Sequence, residues 1–538
     1  MRKTIFLLTG LAILYFLLFI PPNLSGAQDP NMLGVFETDE YAQYPHVIRM
    51  LTPGETPYQT LRNFSVYLHY FYGYAFYFFS ALAILPIKII GGANWDSQTT
   101  MIVLTLRQMI SVLPFILSIY ILVYIQTGFR RRWRTLALAA LLLSVPAVVE
   151  NNMWWHLDSL GVLSVCLVLL ALHIDDLRFG RYFFLGALFC GIGAGIKYLG
   201  AFFVLGIPVY LLWGILSQRI RWGKAVLMGL LFVAVMLGSF ILSNPLLLLP
   251  IERAEIIAVQ RANLLENRLG FFLLAEGPKE FFPAILNLYY GLWPFILLAL
   301  AAAVFSIVRK AAVRRTNVIM LLWIIAYLAT ISSGATRRIH YYLPVMIPLF
   351  SMLVHLFPER KFLFAADGQG LQRIKSAAIQ VFPWLVVLLA AAQWLVFIRF
   401  DTELYSRQLR REDNSPSIAF FQHLETDYLP AAVQDMGLVV YRDWRVYVPP
   451  TAGWQVEMRW DMATAEMLGE LDPDLILLEQ ENIALFTRAD AVEKAVDPGQ
   501  MQAWQTFYGQ ASGQELEGYV HLYEDDFGLA LLREELAD

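Results

Sequence analysis

Charge and cysteine are what this sequence has least of. Only 16% of its 538 residues are charged, whereas soluble domains carry about a quarter. The net balance of −4 is too small to imply nucleic acid or an acidic partner. Cys166 and Cys190 both sit in apolar runs, which speaks against a disulfide, a zinc site or a redox pair. No internal repeat, coiled coil or low-complexity tract is present. No clean small-residue cleavage site precedes Asp29 either. The run from Thr4 to Ile20, headed by Met1-Arg2-Lys3, therefore reads as an uncleaved signal-anchor.

What is there instead is hydrophobic sequence, 58% of the chain, with aromatics at 14%. Apolar segments lie near 4–20, 66–90, 101–125, 134–150, 159–174, 182–199, 200–217, 224–243, 286–308, 317–333, 339–356 and 376–398. Each approaches the roughly 20 residues that a helix needs to cross about 30 Å of hydrocarbon. The expected fold is an all-α polytopic membrane domain over 1–398, followed by a small α/β domain over 399–538. In that last part, strand-like runs (Gly437–Tyr441, Asp474–Leu478, Leu529–Leu532) alternate with helical ones such as Ser417–Leu424.

Basic clusters set the orientation, because they favour the cytoplasmic side. They are Arg2-Lys3, Arg130–Arg134, Arg178/Arg181, Arg219/Arg221/Lys224, Arg309-Lys310 with Arg314-Arg315, and Arg360-Lys361 with Arg373/Lys375. If every segment crosses, all the later clusters fall outside. Treating 66–90 as an external interfacial helix returns all of them to the inside; the alternative is a true crossing, with a different span missed. Its tyrosines and His69 suit the headgroup region. About eleven crossings remain, with residues 21–100 forming the first external loop and the C-terminal domain external.

On that topology several reactive side chains face outward. Asp39 and Glu40 are adjacent, so they cannot share one helix face; one acts on a substrate while the other meets a neighbouring group. The alternative for both is a solvated loop pair. Asp158 sits where a helix opening at Ser159 needs an N-cap, with His156 two residues before it. That spacing is not the i, i+4 pattern of a helical metal pair, and no metal is expected. Lys197 ends a glycine-rich run (Gly191, Gly193, Gly195) that admits close approach of a helix or a lipid. It reads as a snorkelling lysine or a phosphate contact. Arg337 and Arg338 stand on the side where cations are disfavoured, which suggests an anion to be held, and His340 and Tyr341 follow them. Arg107 is a weaker candidate for the same role, and snorkelling is the favoured reading for it.

In order along the chain stand a signal-anchor, Asp39-Glu40, an aromatic interfacial segment, Asp158, a glycine-rich run ending in Lys197, and Arg338-Ile339-His340-Tyr341-Tyr342-Leu343-Pro344 with Pro348. This pattern, over roughly 1–360, resembles the C-type glycosyltransferase superfamily, in particular the branch of protein O-mannosyltransferases and the aminoarabinose transferase of lipid A. The chain lacks the Pro-Pro that family members often carry in the first loop. The resemblance implies transfer of a hexosyl or pentosyl group, with inversion, from a polyprenyl-phosphate donor to a lipid, glycan or protein acceptor. The reaction would run at the extracytoplasmic face of the plasma membrane, among membrane lipids and without a cofactor. It puts the general base on Asp39, with Glu40 binding substrate, Asp158 as a second external acid, and Lys197 and Arg338 around the donor phosphate. His156, Arg337, His340 and Tyr341 complete the expected substrate contacts. The rival readings are a transporter or flippase of lipid-linked sugars and a sensor. Transporters usually show repeated halves and midplane charges, and no cytoplasmic output domain for a sensor is evident.

Overall fold

In the computed structural model, residues 1–197, 199–269, 284–332, 334, 338–358, 371–434, 436–450 and 453–537 are described. Each of the twelve apolar segments is helical over most of its described length. Among the described residues, eight helices are long and apolar enough to cross a membrane: Arg2–Leu24, Tyr74–Ser97, Thr99–Thr127, Asp158–Asp175, Leu199–Leu216, Trp222–Leu242, Arg314–Ser332 and Val381–Leu409. Trp293–Arg309 and Ile339–His355 are shorter and equally apolar in character. Of the other two segments, 134–150 breaks at Ser144 ahead of Pro146, and 182–199 is the helix Arg181–Lys197. The break has a local cause, since the residue before a proline is steered out of the helical region.

The segment expected as one helix over 66–90 is shorter. It begins at Tyr74 and ends at Gly91, and Leu68 before it has a positive φ of 65°. This helix runs beside the acidic helix Thr38–Leu51. At one end Tyr72 reaches Asp39, and at the other the Lys88 ammonium donates to the Leu51 carbonyl. The acidic helix is amphipathic, burying Gln43, Tyr44, Val47, Met50 and Leu51. Asp39, His46 and Arg49 make the acidic helix costly to place in hydrocarbon. A maleimide probe applied to intact cells should label Tyr58→Cys in the same loop and leave Trp133→Cys untouched. Labelling at 133 would reverse the orientation.

The glycine run before Lys197 has a packing reason. A Cβ at Gly195 would sit 2.1 Å from Ser243 Oγ, and one at Gly73 would sit 1.6 Å from the Gly195 carbonyl oxygen. Asn244 clamps the junction, accepting from Tyr74 N at 2.9 Å and donating to Gly195 O at 3.2 Å. Only residues without side chains let these backbones meet.

The last apolar helix continues to Leu409, past the expected boundary at 398. Beyond it lies a five-stranded sheet in the order β2-β1-β3-β5-β4, formed by β1 (Val439–Arg442), β2 (Gln455–Glu457), β3 (Leu475–Glu479), β4 (Tyr519–Glu524) and β5 (Gly528–Arg533). β1 pairs in parallel with β2 and β3, while β5 is antiparallel to β3 and β4. Central β3 is buried throughout, its run of four apolar residues ending in the buried Glu479. The domain rests on the first loop. Tyr447 OH donates to Asp29 at 2.9 Å, Asn31 donates to the Val448 carbonyl at 2.9 Å, and the Arg442 guanidinium lies 5.4 Å from the centre of the Tyr41 ring.

Candidate functional site

Four parts of the chain converge on Asp39: the first loop, residues 154–158, the end of the glycine-rich helix at Lys197, and residues 338–341. Asp39 lies in the first turn of its helix with its side chain 30% exposed. Tyr72 OH donates to its Oδ2 at 3.4 Å, His156 Nε2 lies 3.8 Å away, and Arg338 Nη1 lies 3.9 Å away. None of these contacts is short, which leaves the carboxylate able to accept a further hydrogen bond.

Asp158 is the opposite case. Its side chain is 1% exposed, with His156 Nδ1 at 2.5 Å, Lys197 Nζ at 2.8 Å and His340 Nε2 at 3.8 Å. Trp154 stacks on His156 at 4.2 Å, and the two imidazole rings of His156 and His340 are 5.0 Å apart. Lys197 also sits 4.5 Å from the centre of the Tyr341 ring, a cation–π contact that leaves the ammonium partly exposed. Tyr341 OH in turn donates to Asn267 at 3.2 Å.

The ligand atoms of His156, Asp158 and His340 lie within 4.8 Å of one another. As arranged they do not fit an ion. Zinc ligands at roughly 2.0–2.2 Å in a tetrahedron stand more than about 3 Å apart, whereas His156 and Asp158 approach to 2.5 Å and Lys197 already holds the other Asp158 oxygen. The cluster is a set of proton donors and acceptors.

Burial shapes the groups around Asp39. It pushes the Tyr72 hydroxyl well above its ordinary value, with the Asp39 charge adding to the effect, so Tyr72 stays protonated. It pushes His69 down to about 4, with His46 adding to the effect. Glu266 is raised by burial too, against the pull of Arg338. Burial opposes the Arg338 charge, but Tyr341, Asp39, Tyr72 and Glu266 more than offset it.

No protein-family model matches this chain, and no curated protein matches it. Solved structures do. ArnT from Cupriavidus metallidurans in the apo state aligns over 100% of this chain and 99% of its own, at 13% identity and a TM-score of 0.51. The chain shares the fold of ArnT. The same ArnT bound to undecaprenyl phosphate matches at 13% identity over 99% of both chains, with a TM-score of 0.49. The Archaeoglobus fulgidus oligosaccharyltransferase in complex with Zn and sulfate matches at 11% identity over 97% of this chain and 73% of its own, with a TM-score of 0.47.

Within this ArnT-like fold several expected roles change. Glu40 does not face the cleft. It is fully buried, and Arg107 grips it with Nε to Oε1 at 2.8 Å and Nη2 to Oε2 at 2.5 Å, while Trp155 N donates to Oε1 at 2.5 Å. Arg107 spends its remaining nitrogen on the carbonyls of Asn23 and Ser25 at 2.8 and 2.9 Å. It therefore neither snorkels nor reaches a phosphate. A π-turn at Arg107–Val112 lies at this point of the Thr99–Thr127 span, a device frequent at functional sites. Asp158 does not cap its helix: the helix starts at Asp158 itself, without a side-chain cap. Its carboxylate turns to His156 and Lys197 instead. Arg337 lies outside the described residues.

Sequence reasoning missed Tyr72, Trp154, Glu266 and Asn267. Tyr72 stood among tyrosines already explained as interface anchors. Glu266 and Asn267 come from the helix Pro250–Leu269, whose only sequence signal was its polarity between apolar runs.

Proposed function

We propose that this protein is a membrane glycosyltransferase that moves a hexosyl or pentosyl group from a polyprenyl-phosphate donor to an acceptor on a lipid, glycan or protein, with inversion, at the extracytoplasmic face. The observation that carries the reading is the division of labour between the two aspartates. Asp39 is loosely held and partly exposed, beside Arg338; Asp158 is buried between His156 and His340, and holds Lys197 at the cleft. A base for the acceptor hydroxyl needs the first environment. A departing phosphate needs fixed positive charge, which the second supplies. The ArnT-like fold agrees with this, since ArnT is a protein solved with undecaprenyl phosphate.

In this reading Asp39 takes the acceptor proton as the acceptor oxygen attacks the anomeric carbon. The bond from that carbon to the phosphate oxygen breaks, and Lys197 and Arg338 stabilise the anion that leaves. The purified protein incubated with a panel of polyprenyl-phosphate sugars should release polyprenyl phosphate from one of them when acceptor is present. Movement of intact donor across a vesicle without release would favour the flippase reading.

The cations make a separate prediction. A hydrogen bond to a charged group contributes about 1.5–3 kcal/mol, so Arg338→Gln and Lys197→Met should each weaken donor binding about tenfold or more. Acceptor affinity should hold. Isothermal titration with polyprenyl phosphate on folded variants reads this directly, and unchanged affinity in both would remove the assignment.

A further inference from the structure

A chain of close contacts leads away from the Asp39 carboxylate. Asp39 Oδ2 accepts from Tyr72 OH at 3.4 Å, Tyr72 OH meets His156 Nε2 at 3.1 Å, and His156 Nδ1 faces Asp158 Oδ2 at 2.5 Å. The other Asp158 oxygen accepts from Lys197 at 2.8 Å. The acceptor-side carboxylate is thus linked, group by group, to the cation on the donor side.

From this geometry we propose that Tyr72 and His156 form a proton relay that empties Asp39 during transfer. The proposal rests on Asp39 being the base. The acceptor O–H bond breaks and its proton goes to Asp39, while the acceptor oxygen bonds the anomeric carbon and the phosphate leaves with the electron pair. Asp39 then passes the proton to the Tyr72 oxygen, and the Tyr72 hydroxyl proton moves to His156 Nε2. The result is an imidazolium facing Asp158, a carboxylate restored at Asp39, and an unchanged tyrosine. No oxidant or co-reactant is required.

Each link has the property the relay needs. Tyr72 has one hydroxyl proton and two acceptors within 3.4 Å, so it can exchange one proton for another without ionising. With its proton on Nδ1, the nitrogen 2.5 Å from Asp158 Oδ2, His156 leaves Nε2 to receive, and a buried carboxylate beside an imidazole favours that tautomer. Trp154 stacked at 4.2 Å and Tyr72 edge-on at 5.3 Å fix the ring plane. The charged and titratable groups facing His156 are Asp158, Asp39, Tyr72 and His340, with Lys197 and Arg338 one contact further out. The two aspartates favour a proton arriving on His156; His340 and the two cations oppose it, the cations most while the donor anion is absent.

The test is the pH profile of single-turnover transfer, with donor binding measured alongside. Tyr72→Phe keeps the ring against His156 and removes only the hydroxyl. If the relay operates, the wild-type low-pH limb reports the group that must be neutral to receive the proton. In Tyr72→Phe that limb should move acid-ward, because the group that must then be unprotonated is a carboxylate and no longer an imidazole. The maximal rate should fall roughly 10²-fold, the lower end for a positioned proton transfer, with donor affinity unchanged. His156→Gln, which also ends the path, should give the same shifted limb, and it serves if Tyr72→Phe does not fold. A limb that stays in place in the folded variant overturns the relay, whether or not the rate falls, because a merely structural hydroxyl does not move it. Failure of the base reading looks different: Asp39→Asn would then transfer normally, whatever Tyr72→Phe does.

Discussion

Asp39→Asn will bind donor normally and transfer it roughly 10²–10⁴ times more slowly, the range typical of positioned general-base catalysis. The asparagine keeps the size of the side chain and can still accept from Tyr72, so the cleft should hold its shape. What it cannot do is take a proton. The side chain is 30% exposed and its contacts lie at 3.4 to 3.9 Å, so little stability depends on it. Single-turnover transfer and donor binding on the same folded sample separate the chemistry from the binding. Near-normal transfer by this variant would remove Asp39 from the reaction and bring the flippase reading forward.

The neighbouring residue will behave in the opposite way. Glu40→Ala will cost about 3–5 kcal/mol of folding stability, because it strands Arg107 as an uncompensated buried charge. Both side chains of this pair are 0% exposed, so water cannot take over. The loss should also free the Trp155 amide and loosen the residues around His156. Thermal unfolding in detergent will show a large fall in Tm, with yield falling alongside. Pairing Glu40→Ala with Arg107→Met should recover much of the loss, since removing both charges leaves no orphan. If Glu40→Ala instead melts like wild type and loses only substrate affinity, Glu40 belongs in the cleft after all.

Adjacent residues with opposite fates show where sequence reasoning stops. That Asp39 and Glu40 point to different faces followed from helical geometry alone. Which of them is buried and which stays open depended on Arg107, 67 positions away. The same holds for Asp158: next to Ser159 it has the look of an N-cap, and only the fold brings Lys197 and His340 close enough to claim its carboxylate. Tyr72 was one tyrosine among many until His156 lay 3.1 Å from its hydroxyl.

Taken by itself, the sequence determined the apolar helices, the strand-like runs Gly437–Tyr441, Asp474–Leu478 and Leu529–Leu532 that overlap β1, β3 and β5, and the set of polar residues from which a site could be drawn. Those features are local: a run of apolar residues must be helical in a bilayer, because each backbone donor and acceptor has to be satisfied within its own segment. The tertiary structure alone decided which carboxylate is anchored and which stays open, and which hydroxyl joins Asp39 to His156. Charges and hydrogen bonds act over a few ångströms, and those distances are set by helices that lie far apart in the chain.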